Sequence, residues 1–287
     1  MPASTFQSYI TDMKCALDLL DRYGTLQKMS SGSAEIDSLI DGVQENSFYL
    51  FYSSRENHLI LDSLLYRQLI GCILPKSAKK NGFESAAIFL NNIDLSSDKN
   101  KHQLLNPEKI AIASKYAGIE PKIVSKNLFV QTAYNSEHQV SIADEVADKI
   151  ESNSDIKLLA IRDLTKFVVK ERDASDDANT LKKTLGILYR ACTKHKVAIV
   201  ATGDCNGTSN GIIPKPIGGT YLKHIANIIV HVKPIFWSTT NNGNTASPYV
   251  SFKASMIKHP YQRTPKSVNF YARRIGKRTN PMLFILD

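Results

Sequence analysis

A chain of 287 residues, 43% hydrophobic and 22% charged, is long enough for one large α/β domain with a real core and too apolar to be disordered. No apolar run approaches the ~20 residues of a membrane-spanning helix, and Met1 to Ile10 lack the basic stretch and hydrophobic core of a secretory leader; a cytoplasmic protein, nucleoid- or nucleus-associated, is expected. The net charge of +9 is unevenly carried: no Asp or Glu occurs from Cys205 to Leu286, where Lys215, Lys223, Lys233, Lys253, Lys258, Arg263, Lys266, Arg273, Arg274, Lys277 and Arg278 all fall. Such a field attracts nucleic acid, anionic lipid or an acidic partner. Cys15, Cys72, Cys192 and Cys205 lack C-x-x-C spacing, which argues against a zinc site or a disulfide framework.

Tyr9, Ile10, Met13, Leu17 and Leu20 recur at roughly helical spacing across Phe6 to Tyr23, and Gly24 ends that helix. Residues 1–29 therefore read as an N-terminal helix and linker, and 30–287 as an α/β domain with basic C-terminal strands. Ser30 to Val43 is a short capped helix stopped by Gly42. It leads into the apolar strand Phe48-Tyr49-Leu50-Phe51-Tyr52, a polar turn, and a helix carrying Leu61, Leu64, Leu65 and Leu69. Further strands fall at Ala86 to Leu90, Leu128 to Thr132, Ile156 to Ile161 and Val197 to Thr202. Helices separate them: one opened by Pro107, one over Glu137 to Ile150, and a long one over roughly Asp177 to His195. Buried strands alternating with helices specify a mainly parallel central sheet with helices on both faces. After Thr202 a polar, glycine-bearing loop leads to strands at Ala226 to Val232, Tyr249 to Met256 and Ser267 to Ala272. These form a C-terminal antiparallel extension that carries the basic residues.

The turn after the first central strand is where a nucleotide-binding α/β protein holds phosphates. Here it reads Ser53, Ser54, Arg55, Glu56, Asn57, His58, Leu59 and Ile60. A P-loop needs glycines so that backbone N–H groups can close around the phosphates, a lysine for charge and a hydroxyl for magnesium. Ser53, His58, Leu59 and Ile60 stand at those places, so the loop is present by position without its phosphate chemistry.

Four segments carry a family resemblance. Ser31-Gly32-Ser33-Ala34-Glu35-Ile36-Asp37-Ser38-Leu39-Ile40-Asp41-Gly42 is similar to S-T-G-S-x-x-L-D-x-L-L-G-G. Asn106-Pro107-Glu108-Lys109-Ile110 resembles R-P-E-R-I, and Ala133-Tyr134-Asn135-Ser136-Glu137-His138-Gln139 resembles A-Y-N-S-D-H-Q. Ile217-Gly218-Gly219 with His224 is similar to the Gly-Gly and histidine after a second DNA-binding loop. In this order they resemble the ATPase core of the RadA/RecA recombinase family over about residues 25 to 275, which implies a RecA-like α/β fold. The departures fall on the family's chemical positions. Arg162 stands where the resemblance implies the magnesium-ordering aspartate, with Asp163 one residue on, and on a strand a shift of one turns a side chain to the opposite face. Asn91 or Asn92 stands in place of the acid that polarises water, and Thr202-Gly203-Asp204 in place of T-N-Q.

Phosphoryl transfer depends on positioned charge around the γ-phosphate and its metal, so a pseudo-ATPase without catalytic residue, cofactor or metal is expected. The resemblance implies a RadA-like accessory or mediator of homologous recombination and repair. Its partners would be DNA, held through the backbone without sequence preference, and a RadA-type recombinase or another paralogue, with no membrane. The alternatives are a DNA-dependent ATPase with a rebuilt site and a basic scaffold unrelated to recombination. Of the family's DNA loops, the first is acidic here over Glu171 to Asp177 and the second offers only Lys215. Candidate DNA contacts are therefore Lys215, Lys253, Lys258, Arg263, Lys266, Arg273, Arg274, Lys277 and Arg278, densest in the last four. Phe270, Tyr261 and Tyr271 lie close enough in sequence to stack on bases, with core packing as the competing role.

Overall fold

The computed structural model describes residues 26–77, 81–94, 105–168, 174–205, 213–235, 249–277 and 280–286, without the side chains at 174–178, 277 and 280–282. The expected helix over Phe6 to Tyr23, residues 171–173 and 206–212 of the two DNA loops of the resemblance, and Arg278 lie outside the described residues.

A two-stranded pair, β1 (Lys28–Met29) and β2 (Val43–Gln44), flanks helix α1 (Ala34–Ile40) and precedes the central strand β3 (Phe48–Ser53). β3 is buried along its whole length. Phe48, Leu50 and Tyr52 join one core, while Tyr49 and Phe51 join the other. Only a strand covered on both faces can bury an unbroken apolar run in this alternating way.

β3 lies between β7 (Ala198–Asp204) and β8 (Ile228–Pro234), parallel to both. Outside β7 come β6 (Ile156–Arg162), β4 (Ala86–Asn92) and β5 (Leu128–Ala133), all parallel. Outside β8 come β9 (Tyr249–Lys258), β10 (Lys266–Lys277) and β11 (Asn280–Leu286), each antiparallel to its neighbour. Among the described residues the order is β11-β10-β9-β8-β3-β7-β6-β4-β5. On one face lie α1, α2 (His58–Ile73), α3 (Pro107–Tyr116) and α4 (Pro121–Asn127). On the other lie α5 (Ser136–Ser152), α6 (Ala174–His195) and α7 (Gly219–Ile225). The mainly parallel sheet, the helices on both faces and the antiparallel extension are all as expected. β1, β2, β11, α4 and α7 are additions.

Three of the family-like segments are helix starts with a local physical task. In the first, Asp37 accepts from the Ser31 N–H (2.7 Å) and the Ser30 hydroxyl, and the Ser33 side chain accepts from the Ile36 N–H. Gly32 sits at φ 95°, and a Cβ there would fall 2.1 Å from the Arg67 side chain, so this turn tolerates no larger residue. Asn106 caps α3 ahead of Pro107, and Asn135 caps α5 by accepting from the His138 N–H.

The extension shares its core with the parallel part. Phe252 stacks on Phe270 (5.5 Å between centroids) and meets Phe284 edge-on (5.4 Å), all three within the cluster that includes Leu64 and Leu69 of α2. The Phe284 N–H donates to the Ser63 hydroxyl of α2 at 3.0 Å, which ties β11 to that helix. Phe252→Ala is expected to cost about 3–5 kcal/mol. The urea midpoint should fall with an unchanged m-value and a single transition, whereas two transitions would show that the extension unfolds separately.

Candidate functional site

The carboxyl ends of β3, β4, β6 and β7 form a crevice where an open α/β sheet binds ligands. After β3 the chain makes a one-turn 3-10 helix, Arg55–Asn57, and α2 starts at His58. The turn closes on itself: the Asn57 N–H donates to the Ser54 carbonyl (2.9 Å) and the Asn57 amide to the Ser54 hydroxyl (2.7 Å). No residue from Ser53 to Ile60 has a left-handed backbone, so the amides do not form the concave nest that cradles an anion. Ser53 donates its hydroxyl to the Val232 carbonyl at 2.6 Å, Leu59 is half-buried and Ile60 is buried in the core.

An ion-pair network fills the floor. The Arg162 guanidinium at the end of β6 grips Asp62 of α2 through two bonds, Nε to Oδ1 at 2.6 Å and NH2 to Oδ2 at 3.0 Å. Its NH1 lies 3.5 Å from Asn91 Oδ1. His58 places Nε2 2.5 Å from Asp204 Oδ1 and Nδ1 3.4 Å from Asp163 Oδ1. Arg55 lies 3.5 Å from the other Asp204 oxygen, and Lys166 lies 3.9 Å from Asp163. Asn92 donates to the backbone carbonyls of Arg162 and Asp163 (2.9 and 3.4 Å), and Thr202 accepts the Asp163 N–H (3.0 Å). Beside His58 an open cleft of about 470 Å³ is lined by Arg55, Lys166, Asp94, Asp204, Tyr134 and Asn135, among others. Its charges are mixed in sign.

Strand alternation puts Asp163 on the face opposite Arg162, and the structure corrects this. Asp163 has φ 50°; the strand ends at Arg162 and the left-handed turn swings the carboxylate back beside His58. Two further members, Asp62 and Lys166, were not anticipated. Asp62 is four residues after His58 in the same helix, hence on the same face.

Burial by itself lowers the His58 pKa, but the hydrogen bond with Asp204 and the charges of Asp163, Asp204 and Asp62 outweigh it and raise it above 6.5. Burial would raise Asp204, yet the bond from His58 and the charges of His58 and Arg55 hold it below 3.8. Asp163 goes the other way: its burial outweighs His58 and Arg162, and its pKa is raised.

Among the described residues the candidate DNA contacts are spread over several elements. Lys258 is withdrawn from them: its ammonium donates to the carbonyls of Lys223 (2.8 Å), His224 (3.1 Å) and Ala226 (2.6 Å), closing the C-terminal end of α7. Lys266 turns toward α1, 3.4 Å from the Ser38 carbonyl, while Arg273 lies 6.0 Å from the Tyr116 ring centroid. Lys215 and Arg263 are exposed in connections, Lys253 projects from β9, Arg274 is half-buried, and the side chain of Lys277 lies outside the described residues. Phe270 is in the core, and Tyr271 and Tyr261 are exposed.

A crevice at the ends of parallel strands, entered by a strand, turn and helix, makes this an α/β protein of the RecA-like class. Residues 22–235 match the model of the Rad51 family, and the chain belongs to that family. It is 24% identical over 231 residues to the DNA repair and recombination protein RadA of Methanococcus voltae, covering 77% of this chain and 70% of the relative. The RadA of Metallosphaera sedula is 22% identical over 232 residues, 77% of this chain and 66% of its own. Among the described residues no helix is long and apolar enough to cross a membrane, and no cluster of His, Cys, Asp and Glu could hold a metal ion.

Asp62→Ala leaves a buried guanidinium without its counter-charge, with an expected loss of about 3–5 kcal/mol in urea unfolding. Asp62→Leu combined with Arg162→Met should recover most of it. A double variant no more stable than Asp62→Ala would show that the pair is not the source.

The pH dependence has a definite sign. The raised His58 pKa gives stabilisation that is complete below 6.5 and is lost as pH rises through the folded-state value. The lowered Asp204 pKa gives stabilisation present above 3.8 and lost as pH falls through its folded value. Asp163, raised, also favours the lower end of the window between them. The urea midpoint is expected to drop between pH 6 and pH 8, and His58→Gln should flatten that drop; an unchanged slope would remove His58 as its cause.

Proposed function

We propose that this Rad51-family chain is an accessory or mediator of DNA recombination and repair that does not turn over ATP, acting by binding DNA, a RadA-type recombinase or another paralogue. The observation that carries the reading is the guanidinium of Arg162 locked to Asp62 at the strand end, where the family resemblance calls for the magnesium-ordering carboxylate. A triphosphate with its metal needs fixed positive charge, a nest of amides and that carboxylate. The turn at Arg55–Asn57 offers no left-handed backbone, and His58 is occupied by two carboxylates of the protein itself. The basic balance from Cys205 to Leu286 supports DNA as one partner. One observation favours the competing reading, an ATPase with a rebuilt site: Asp163 faces the crevice and lies within 4 Å of His58.

Nucleotide binding separates the two. Millimolar Mg–ATP should leave the melting temperature unchanged, since a ligand at about 100 times its Kd would stabilise the chain by about 2.7 kcal/mol. No magnesium-dependent phosphate release should appear with or without DNA. A shift together with turnover overturns the reading and favours Asp163 as the metal ligand. The partner half is tested by mixing the chain with a RadA-type recombinase and following co-elution with and without DNA.

A further inference from the structure

The antiparallel strands β8, β9 and β10 are covered by helices on one side, where Phe252, Ala254, Phe270 and Ala272 join the core beneath α1 and α2. The alternate residues project from the opposite side, which is buried at Ile229, His231 and Ser255 and open from the Lys233 row onward. The register sets Lys233, Lys253 and Asn269 side by side in one row. In the next row Ser251 lies beside Tyr271, and two residues further along β9 comes Tyr249. Tyr271 is 57% exposed and Tyr249 44%. Neither Lys233 nor Lys253 makes an ion pair among the described residues, and the sequence from Cys205 to Leu286 has no carboxylate side chain to offer them.

We propose that this open sheet face is a platform for single-stranded nucleic acid, with bases stacked on Tyr271 and Tyr249 and phosphates held by Lys233 and Lys253. The inference rests on the reading that the chain binds DNA, and is independent of whether it turns over ATP. Tyr249 and Tyr271 are diagonal neighbours on adjacent strands, roughly 7–8 Å apart, a separation that two consecutive bases of an extended strand can span. Base–aromatic stacking is indifferent to sequence because every base has a π-face. A duplex keeps those faces inside its own stack, so the tyrosines discriminate between the two forms while the lysines do not. An anionic membrane would use the lysines alone and an acidic protein would not need flat aromatic surfaces, so the combination favours nucleic acid.

The test is fluorescence anisotropy of the full chain with a labelled oligothymidylate of about 20 nucleotides, and with a duplex of the same length, across a salt series. Single strand should bind more tightly than duplex. Tyr271→Ala and Tyr249→Ala should each weaken single-strand binding by about tenfold and leave duplex binding unchanged. The corresponding Phe variants should bind as the parent does, because stacking needs the ring and not the hydroxyl. Lys233→Ala with Lys253→Ala should weaken both forms and lower the slope of log affinity against log salt by about 1.4 for the single strand. Melting temperatures near the parent's show that the variants fold. Equal affinity for duplex and single strand, or tyrosine variants that bind single strand like the parent, overturns the platform while leaving DNA binding in place. Failure to bind either form at low salt overturns the DNA reading as well.

Discussion

A guanidinium buried at the end of a parallel strand must have a counter-charge within reach, and this requirement shapes the crevice. Arg162 meets it through Asp62, which fixes how closely the first turns of α2 approach β6. The approach carries His58 into the space between β6 and β7, where it meets Asp163 and Asp204. Removing two charges from water costs several kcal/mol per ion before their attraction is counted, so the pair is weak support for stability. Its effect is on arrangement. With Arg162 anchored, Asn91, Asn92, Thr202 and Lys166 have definite partners nearby, and polar contacts within the chain specify the crevice floor.

The same geometry accounts for what the N-terminal end of α2 does. A helix start carries partial positive charge and favours an anion within its first turn. In a phosphate-binding loop that anion is the ligand. Here the carboxylates of Asp163 and Asp204 lie beside the first residue of the helix, and His58 between them balances their charge. A dianionic phosphate entering this space would have to displace carboxylates already engaged with His58, Arg55 and Lys166.

Much of this was legible before any coordinates. The apolar runs at Phe48–Tyr52, Ile156–Ile161 and Ala198–Thr202 lie in buried parallel strands, because a run without alternation survives only between two layers of helix. The helix starts were readable for a local reason: caps at Ser33, Asn106 and Asn135 act within three residues. What escaped is long-range. Asp62 is one of several polar residues in its helix, and nothing singles it out until Arg162, 100 residues later, is placed against it. The direction of Asp163 depends on one left-handed backbone angle that overrides strand alternation. β11 carries no turn signal or alternation of its own, and its place rests on pairing with β10 and on Ser63 of α2. α7 was hidden behind Gly218 and Gly219, whose positive φ values read as loop although they start a helix. Lys258 was counted among DNA contacts because nothing in the sequence shows the three carbonyls that hold it.

The crevice and the extension differ in the kind of charge they carry. In the crevice every described cation has a carboxylate partner, so little field reaches outward. In the extension the balance is positive, and with Asp and Glu lacking from Cys205 to Leu286 the chain cannot neutralise it locally. Excess charge of one sign opposes compaction and favours a polyanion. The extension tolerates it because its other face joins the same core as α2, through Phe252, Phe270 and Phe284. A surface held by a shared core is preorganised, and preorganisation lowers the ordering cost of binding. The two regions are thus held by different means: packing against the core it shares with α2 positions the extension, and the protein's own ion pairs fill the floor of the crevice.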